Sequence, residues 1–227
     1  MGARIAVVDY HKGNLASVQR GLLDAGFNAF ITDDAAVIRG ADGIVLPGVG
    51  AFADAMATMN ETGQADAIRA AVAAGAPFLG ICLGLHLLFE WGDEGCPAGT
   101  RMEGLGILPG HVMRVESIDP AGNKLKVPHV GWNTVDFTQT VQIDGQAASP
   151  VPLFAGVPDH SHFYFTHSYN VVADSADDVI ATTTHARPFD SAVAHGLVFG
   201  VQFHPEKSSA LGLRVLSNFG TIVESFG

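Results

Sequence analysis

The sequence predicts an α/β protein, a three-layer sandwich around a mostly parallel central sheet with an antiparallel extension in its second half. Two observations predict it. In the first half, short wholly apolar runs alternate with segments of helical periodicity, the pattern of parallel strands covered on both faces. After Gly106 the helical periodicity gives way to short β-branched runs bounded by Gly, Pro, Asn and Asp, the pattern of antiparallel strands.

Taken in order, Arg4–Asp9 (RIAVVD) is the first strand. Asn14–Ala25 places Leu15, Val18, Leu22 and Ala25 at helical spacing, and Gly26 stops it. Asn28–Ile31 and Gly43–Leu46 are the next strands, the latter ending at Pro47-Gly48-Val49-Gly50. Ala51–Asn60 and Gln64–Ala74 read as helices, Pro77–Ile81 as a strand and Leu83–Trp91 as a helix. The second half offers strands at His111–Val115, Thr134–Phe137, His162–Thr166, Tyr169–Ala173, Val179–Thr184, Ser191–His195 and Leu197–Phe203. Gln139–Pro152, polar and rich in small residues, reads as an exposed loop. Ala210–Phe226 is a helix with Leu213, Leu216, Phe219, Ile222 and Phe226 on one face. Neither a repeat nor a linker divides the chain, so one domain over 1–227 is expected.

Composition narrows the function classes. With 48% hydrophobic and 15% charged residues the chain is a globular protein with a sizeable core. A formal charge of −11 disfavours nucleic acid and anionic membranes as partners, and its ordinary reading is solubility. Two cysteines, Cys82 and Cys96, make no disulfide framework. The chain opens on a strand rather than a signal segment, and its apolar runs fall short of a membrane span. The expectation is a soluble protein of a reducing compartment, the cytoplasm.

Gly80-Ile81-Cys82-Leu83-Gly84 lies between an apolar strand and an apolar helix. That is the setting of a nucleophile elbow, with Cys in place of Ser. A sharp strand-to-helix turn crowds the backbone, and glycines at the flanking positions relieve it. The helix start behind the sulfur favours negative charge there, and the Leu83 amide faces the place where an oxyanion forms. The bland alternative is a buried free cysteine acting as a small hydrophobe; Cys96, before Pro97, reads that way.

His204 lies at the end of an apolar strand in VFGVQFHPEKS, and Pro205 biases it to an extended conformation. Residues two apart in an extended segment share a side, so Glu206 can orient one ring nitrogen while the other faces the thiol. A rival base is His86, one helical turn after Cys82, as a Cys–His dyad or half of a metal site. His160 and His162 hint at a metal too, but no further ligand set accompanies them, and no metal is expected.

With the elbow and His-Pro-Glu in place, the chain resembles the class I glutamine amidotransferases, and more narrowly the glutaminase subunits of imidazole glycerol phosphate synthases of histidine biosynthesis. The matching stretches run along essentially the whole chain: Gly13–Ser17, Pro47–Gly50, Gly80–Gly84, Pro128-His129-Val130-Gly131-Trp132-Asn133, Tyr164–Tyr169 and Phe203–Ser208. The resemblance implies that Cys82, His204 and Glu206 hydrolyse glutamine without a cofactor. It implies an oxyanion hole from the Leu83 amide and a backbone amide of Gly48, Val49 or Gly50, reoriented when a partner binds. Glutamine would be held around Gly50, by Glu94 and by His167-Ser168-Tyr169. Ammonia would pass to a (β/α)₈-barrel synthase subunit, docked in a heterodimer near Asn14, His129, Val130, Trp132, Tyr164 and Lys207. One departure stands out: the family's Met-Gln after the elbow is Leu85-His86 here. An imidazole cannot reproduce amide geometry, so weaker or pH-dependent glutamine binding is expected. The rival readings are a glutaminase of another ammonia-using synthase (pyridoxal phosphate or anthranilate type), an unrelated cysteine hydrolase, and a non-catalytic regulatory subunit.

Overall fold

The computed structural model describes residues 2–143 and 146–226. In chain order it holds β1 (Arg4–Val8), α1 (Leu15–Asp24), β2 (Asn28–Thr32), α2 (Ala35–Arg39), β3 (Gly43–Gly48), α3 (Phe52–Glu61), α4 (Gln64–Ala73), β4 (Phe78–Cys82) and α5 (Leu83–Leu87). There follow β5 (Trp91–Gly92), β6 (Met102–Glu103), β7 (Gly110–Arg114), β8 (His129–Phe137), β9 (Val141–Ile143), β10 (Gln146–Ala148), β11 (Ser161–His167) and β12 (Tyr169–Ala173). The chain closes with β13 (Val179–Thr184), β14 (Pro188–His195), β15 (Val198–Val201) and α6 (Ser209–Phe226).

The main sheet runs β2-β1-β3-β4-β15-β14-β12-β7-β5-β6. Its first five strands are parallel; from β15 to β7 the pairing is antiparallel. β8 pairs antiparallel with β11 and β13, and β13 joins β14. The inner parallel strands β3, β4 and β15, and β1 after Arg4, are apolar and buried because each face packs a different core, whereas the edge strand β2 is half exposed. Ile5 and Val7 of β1 join one cluster, with Val18 and Leu22 of α1 and Leu216 and Phe219 of α6. Ala6 and Val8 join the other, with Met56 and Met59 of α3 and Ile68 of α4. β4 does the same with Leu79 and Ile81 on one side and Phe78 on the other.

Beyond the short strands β5 and β6 and the earlier starts of β8 and β14, the structure departs from expectation in four places. α2 is an extra short helix; Asp34 caps it, its side chain accepting from the Ala36 and Val37 amides at 2.8 and 3.3 Å. The helix after Cys82 ends at Leu87 rather than Trp91, because the 104–108 loop takes its carbonyls: Leu105 N–H donates to Leu87 O and Ile107 N–H to Leu88 O. Gln139–Pro152 is not simply an exposed loop. It carries the β9–β10 ribbon, with Ala148 and Ser149 buried; residues 144–145 of the range lie outside the described residues. The strand before His204 stops at Val201, and Pro205–Lys207 form a 3₁₀ turn. Among the described residues no helix is long and apolar enough to cross a membrane.

Candidate active site

The carboxyl ends of β3, β4 and β15 meet at Cys82. The Cys82 backbone has φ 54° and ψ −106°, a left-handed conformation that a non-glycine residue holds at a cost of roughly 1–3 kcal/mol. The elbow glycines are needed for close approach. A Cβ on Gly84 would lie 1.7 Å from the Leu46 carbonyl oxygen, and one on Gly80 2.4 Å from the Gly84 oxygen. Cys82 Sγ sits at the mouth of the sheet, 3.9 Å from the Thr166 carbonyl.

His204 reaches the same place from the segment after β15. Its Nδ1 is 2.9 Å from Glu206 Oε1, and both side chains are almost wholly buried. The carboxylate fixes the tautomer: Nδ1 carries the proton, and Nε2 is the nitrogen left for the thiol. Nε2 has no hydrogen-bond partner, and Sγ stands outside hydrogen-bond geometry yet close enough to act on the ring. Burial alone would lower the His204 pKa, but the Cys82 and Glu206 side chains outweigh it and push it up to about 9. The turn is pinned by three bonds: His204 N–H to Tyr164 O, Tyr164 N–H to Ser208 Oγ, and Ser208 O–H to His204 O. Asn14 Nδ2 adds a 3.4 Å contact to Glu206 Oε1. Glu206 therefore arrives by a proline-started 3₁₀ turn, not by strand alternation.

Cys82 opens onto a pocket of about 330 Å³ lined by Val49, Gly50, Leu83, His86, Glu94, Pro128, Thr166, His167, Ser168 and Tyr169. Nearly all the residues singled out for substrate thus share one pocket. Gly48 does not line it; the Tyr10 hydroxyl is packed so closely that a Cβ on Gly48 would lie 2.0 Å from it. Tyr10 is buried near Cys82, and burial raises its pKa. Glu94 Oε2 accepts the Phe52 amide at the start of α3, 3.3 Å away, and burial raises its pKa too.

Two histidines line the pocket, His86 and His167, and His129 stands behind His167. His167 Nδ1 donates to Tyr169 O at 2.8 Å, which leaves its Nε2 to accept from His129 Nδ1 at 2.9 Å; His129 Nε2 in turn accepts from Asn133 Nδ2 at 3.2 Å. Burial lowers His86 and His129 to about 4 and His167 to about 3. His86 makes no dyad with Cys82: its Nε2 lies 2.8 Å from Gln202 Oε1.

Of the residues singled out for a partner, Val130 and Trp132 are about half exposed and Lys207 is exposed. Trp132, Tyr164 and Lys207 form one patch: the rings meet edge to face at 6.1 Å, and Lys207 Nζ stands 6.0 Å from the Tyr164 ring. The exposure of Trp132 removes the core-aromatic reading. His129 differs: its side chain is buried in the histidine chain. Of the metal hints, His160 lies exposed with Asp136 and Asp159, and His162 has no place in that group.

Sequence reasoning missed Tyr10 and Gln202. Gln202 had a signal: it stands two residues before His204 in what the sequence reads as one strand, so alternation puts the two on one side. Nothing local marks Tyr10.

Residues 6–222 match the model of the family "Glutamine amidotransferase class-I". The chain belongs to the class I glutamine amidotransferases. Among curated members of this family, it is 47% identical over 223 residues to the imidazole glycerol phosphate synthase subunit HisH of Moorella thermoacetica, covering 98% of this chain and 97% of the relative. It is 41% identical over 223 residues to the subunit of the same name from Geobacillus sp. (strain WCH70), covering 98% and 99%. Two solved structures share the amidotransferase fold. PurLQS from Thermotoga maritima matches with a TM-score of 0.67 at 18% identity, over 98% of this chain and 99% of that one. A glutamine amidotransferase from the same organism matches with a TM-score of 0.58 at 15% identity, over 99% and 85%.

Proposed function

We propose that this amidotransferase is the glutaminase subunit of an imidazole glycerol phosphate synthase, one domain working in the cytoplasm as a heterodimer with a (β/α)₈-barrel subunit. The observation that carries the chemistry is the strained Cys82 at the mouth of a pocket, beside a buried His204–Glu206 pair 2.9 Å apart. The near full-length identity to subunits named HisH supports the pathway.

In this reading the Cys82 thiolate attacks the carboxamide carbon of glutamine and a tetrahedral oxyanion forms. The Leu83 amide and a backbone amide of the Gly48–Gly50 segment stabilise it. The His204 imidazolium, the form its raised pKa favours, protonates the leaving nitrogen through Nε2, and ammonia departs. His204 then takes a proton from water, whose oxygen attacks the γ-glutamyl thioester; glutamate leaves and the thiolate returns. Glu206 orients the ring throughout. Gly50, Glu94, His167, Ser168 and Tyr169 hold the amino-acid part of the substrate, with His86 at the wall. Ammonia passes to the barrel subunit, whose lyase chemistry makes imidazole glycerol phosphate and an aminoimidazole carboxamide ribotide. Trp132, Tyr164 and Lys207, with Val130 and Asn14 beside them, form the docking patch. No cofactor, metal, nucleic acid or membrane enters the scheme.

The test is glutamate release by this chain in the presence of the barrel protein of a histidine pathway and its phosphoribulosyl ligand. Release that rises on adding them and vanishes in Cys82→Ala is expected. Release unaffected by the barrel points to another ammonia-using synthase; release that survives Cys82→Ala overturns the mechanism.

A further inference from the structure

Gln202 has no part in that scheme, yet it is in contact with the sulfur. Its side chain is fully buried, and its backbone N–H is anchored to Ser191 O of β14 at 2.9 Å. Its amide meets two partners. Nε2 is 3.7 Å from Cys82 Sγ, and Oε1 is 2.8 Å from His86 Nε2. The chemistry of the three groups allows one orientation. A thiolate only accepts hydrogen bonds, so the amide must turn its NH₂ to the sulfur. That leaves Oε1 facing His86, which must then carry its proton on Nε2. His86 is itself buried, in a setting that keeps the ring neutral, so this tautomer persists. A buried amide is costly unless both ends are matched, and here both are.

We propose that Gln202 is a catalytic residue that holds the Cys82 thiolate through its amide N–H, and that His86 is the positioning residue that orients that amide. The proposal rests on Cys82 being the nucleophile of the glutaminase reading. The sulfur is then served from two sides. His204 exchanges the proton, while Gln202 keeps its own and remains a donor through the cycle. It also gives the departure at His86 a second meaning: the Nε2 proton of this imidazole is committed to Gln202 rather than turned to glutamine.

The test is the pH dependence of the rate at which iodoacetamide alkylates Cys82 in the intact chain, read by mass spectrometry with Cys96 as the reference thiol in the same sample. In Gln202→Met, which keeps the bulk and removes the donor, the midpoint of the Cys82 profile should move about one pH unit towards alkaline while that of Cys96 is unchanged, the worth of one charge-assisted hydrogen bond. Should that variant not fold, Gln202→Leu removes the donor in a smaller side chain and should move the midpoint the same way. His86→Leu should move it about half as far, and His86→Gln, which still has an N–H to offer, should recover most of that shift. In the assembled enzyme Gln202→Met should lower kcat with little change in the KM for glutamine. Wild-type midpoints in folded Gln202→Met and His86→Leu would overturn the proposal, as would equal shifts in His86→Leu and His86→Gln. Alkylation needs neither glutamine nor partner. Its failure leaves the glutaminase reading standing, and an absence of glutamate release beside normal alkylation refutes only that reading.

Discussion

Cys82 stands between two groups of buried histidines that ended up in opposite states. On one side His204 is pushed up to about 9; on the other, His86, His129 and His167 are held down at about 4, 4 and 3. Burial opposes charge in all four. The difference is two acidic partners: His204 has the Cys82 side chain and Glu206, the latter 2.9 Å away, whereas the other three hydrogen-bond only with amides, a carbonyl and each other. The default of a buried imidazole is neutrality, and this protein departs from it at the one ring that must deliver a proton.

The sharpest way to break this contrast is Glu206→Gln, which makes the His204 side resemble the other. kcat for glutamine hydrolysis should fall at least about 100-fold, the scale for losing a histidine's orienting carboxylate. A second signature should go with it. Because the folded pKa of His204 is raised, its contribution to stability is present below 6.5 and lost as the pH climbs through about 9. That alkaline loss in melting temperature should shrink in the variant; an unchanged alkaline slope would show that Glu206 does not set the charge.

The neutral side has the opposite sign. Three histidines with depressed folded values stabilise above pH 6.5, and that stability drains away as the pH falls through about 4 to about 3. Unfolding near pH 5 should take up roughly three protons more than unfolding at pH 8, measured from the pH dependence of denaturant midpoints. An uptake near zero would mean that these rings are already charged when folded.

A smaller effect is expected from adding the missing carboxylate. Asn133→Asp sets one beside His129 Nε2, now 3.2 Å from the amide nitrogen. The pH at which His129 titrates, followed by NMR, should rise by about 1–2. The smallest is His160→Ala. His160 also sits by two carboxylates, Asp136 and Asp159, and its pKa is raised by the Asp136 bond, but the group is exposed to water. No measurable change in melting temperature is expected, because a carboxylate partner matters to stability only where water is shut out.

Much of this was open to reading from sequence, for reasons the structure makes explicit. β1, β3 and β4 were legible because residues of both parities are apolar when both faces are covered, and the elbow because only glycine fits at 80 and 84. What escaped lacked a local signal. α2 is five residues long, β5 and β6 two each, and the end of α5 is set by a loop about twenty residues further on. Tyr10 joins the site only because β1 lies beside β3. Gln202 was missed for another reason: the period of two was applied forward from His204 to Glu206, where a turn breaks it, and not backward, where it holds.

The clearance of 1.7 Å between the Leu46 oxygen and an imagined Cβ on Gly84 has a mechanical side. β3, β4 and α5 bear on one another there as bare main chain, with no soft layer of side chains between. A contact between side chains can yield by a change of rotamer. A push on the end of β3 is not absorbed, because that strand and the nucleophile form one stiff joint. The reactive atom is coupled directly to movement of the strand that runs out into Pro47–Gly50.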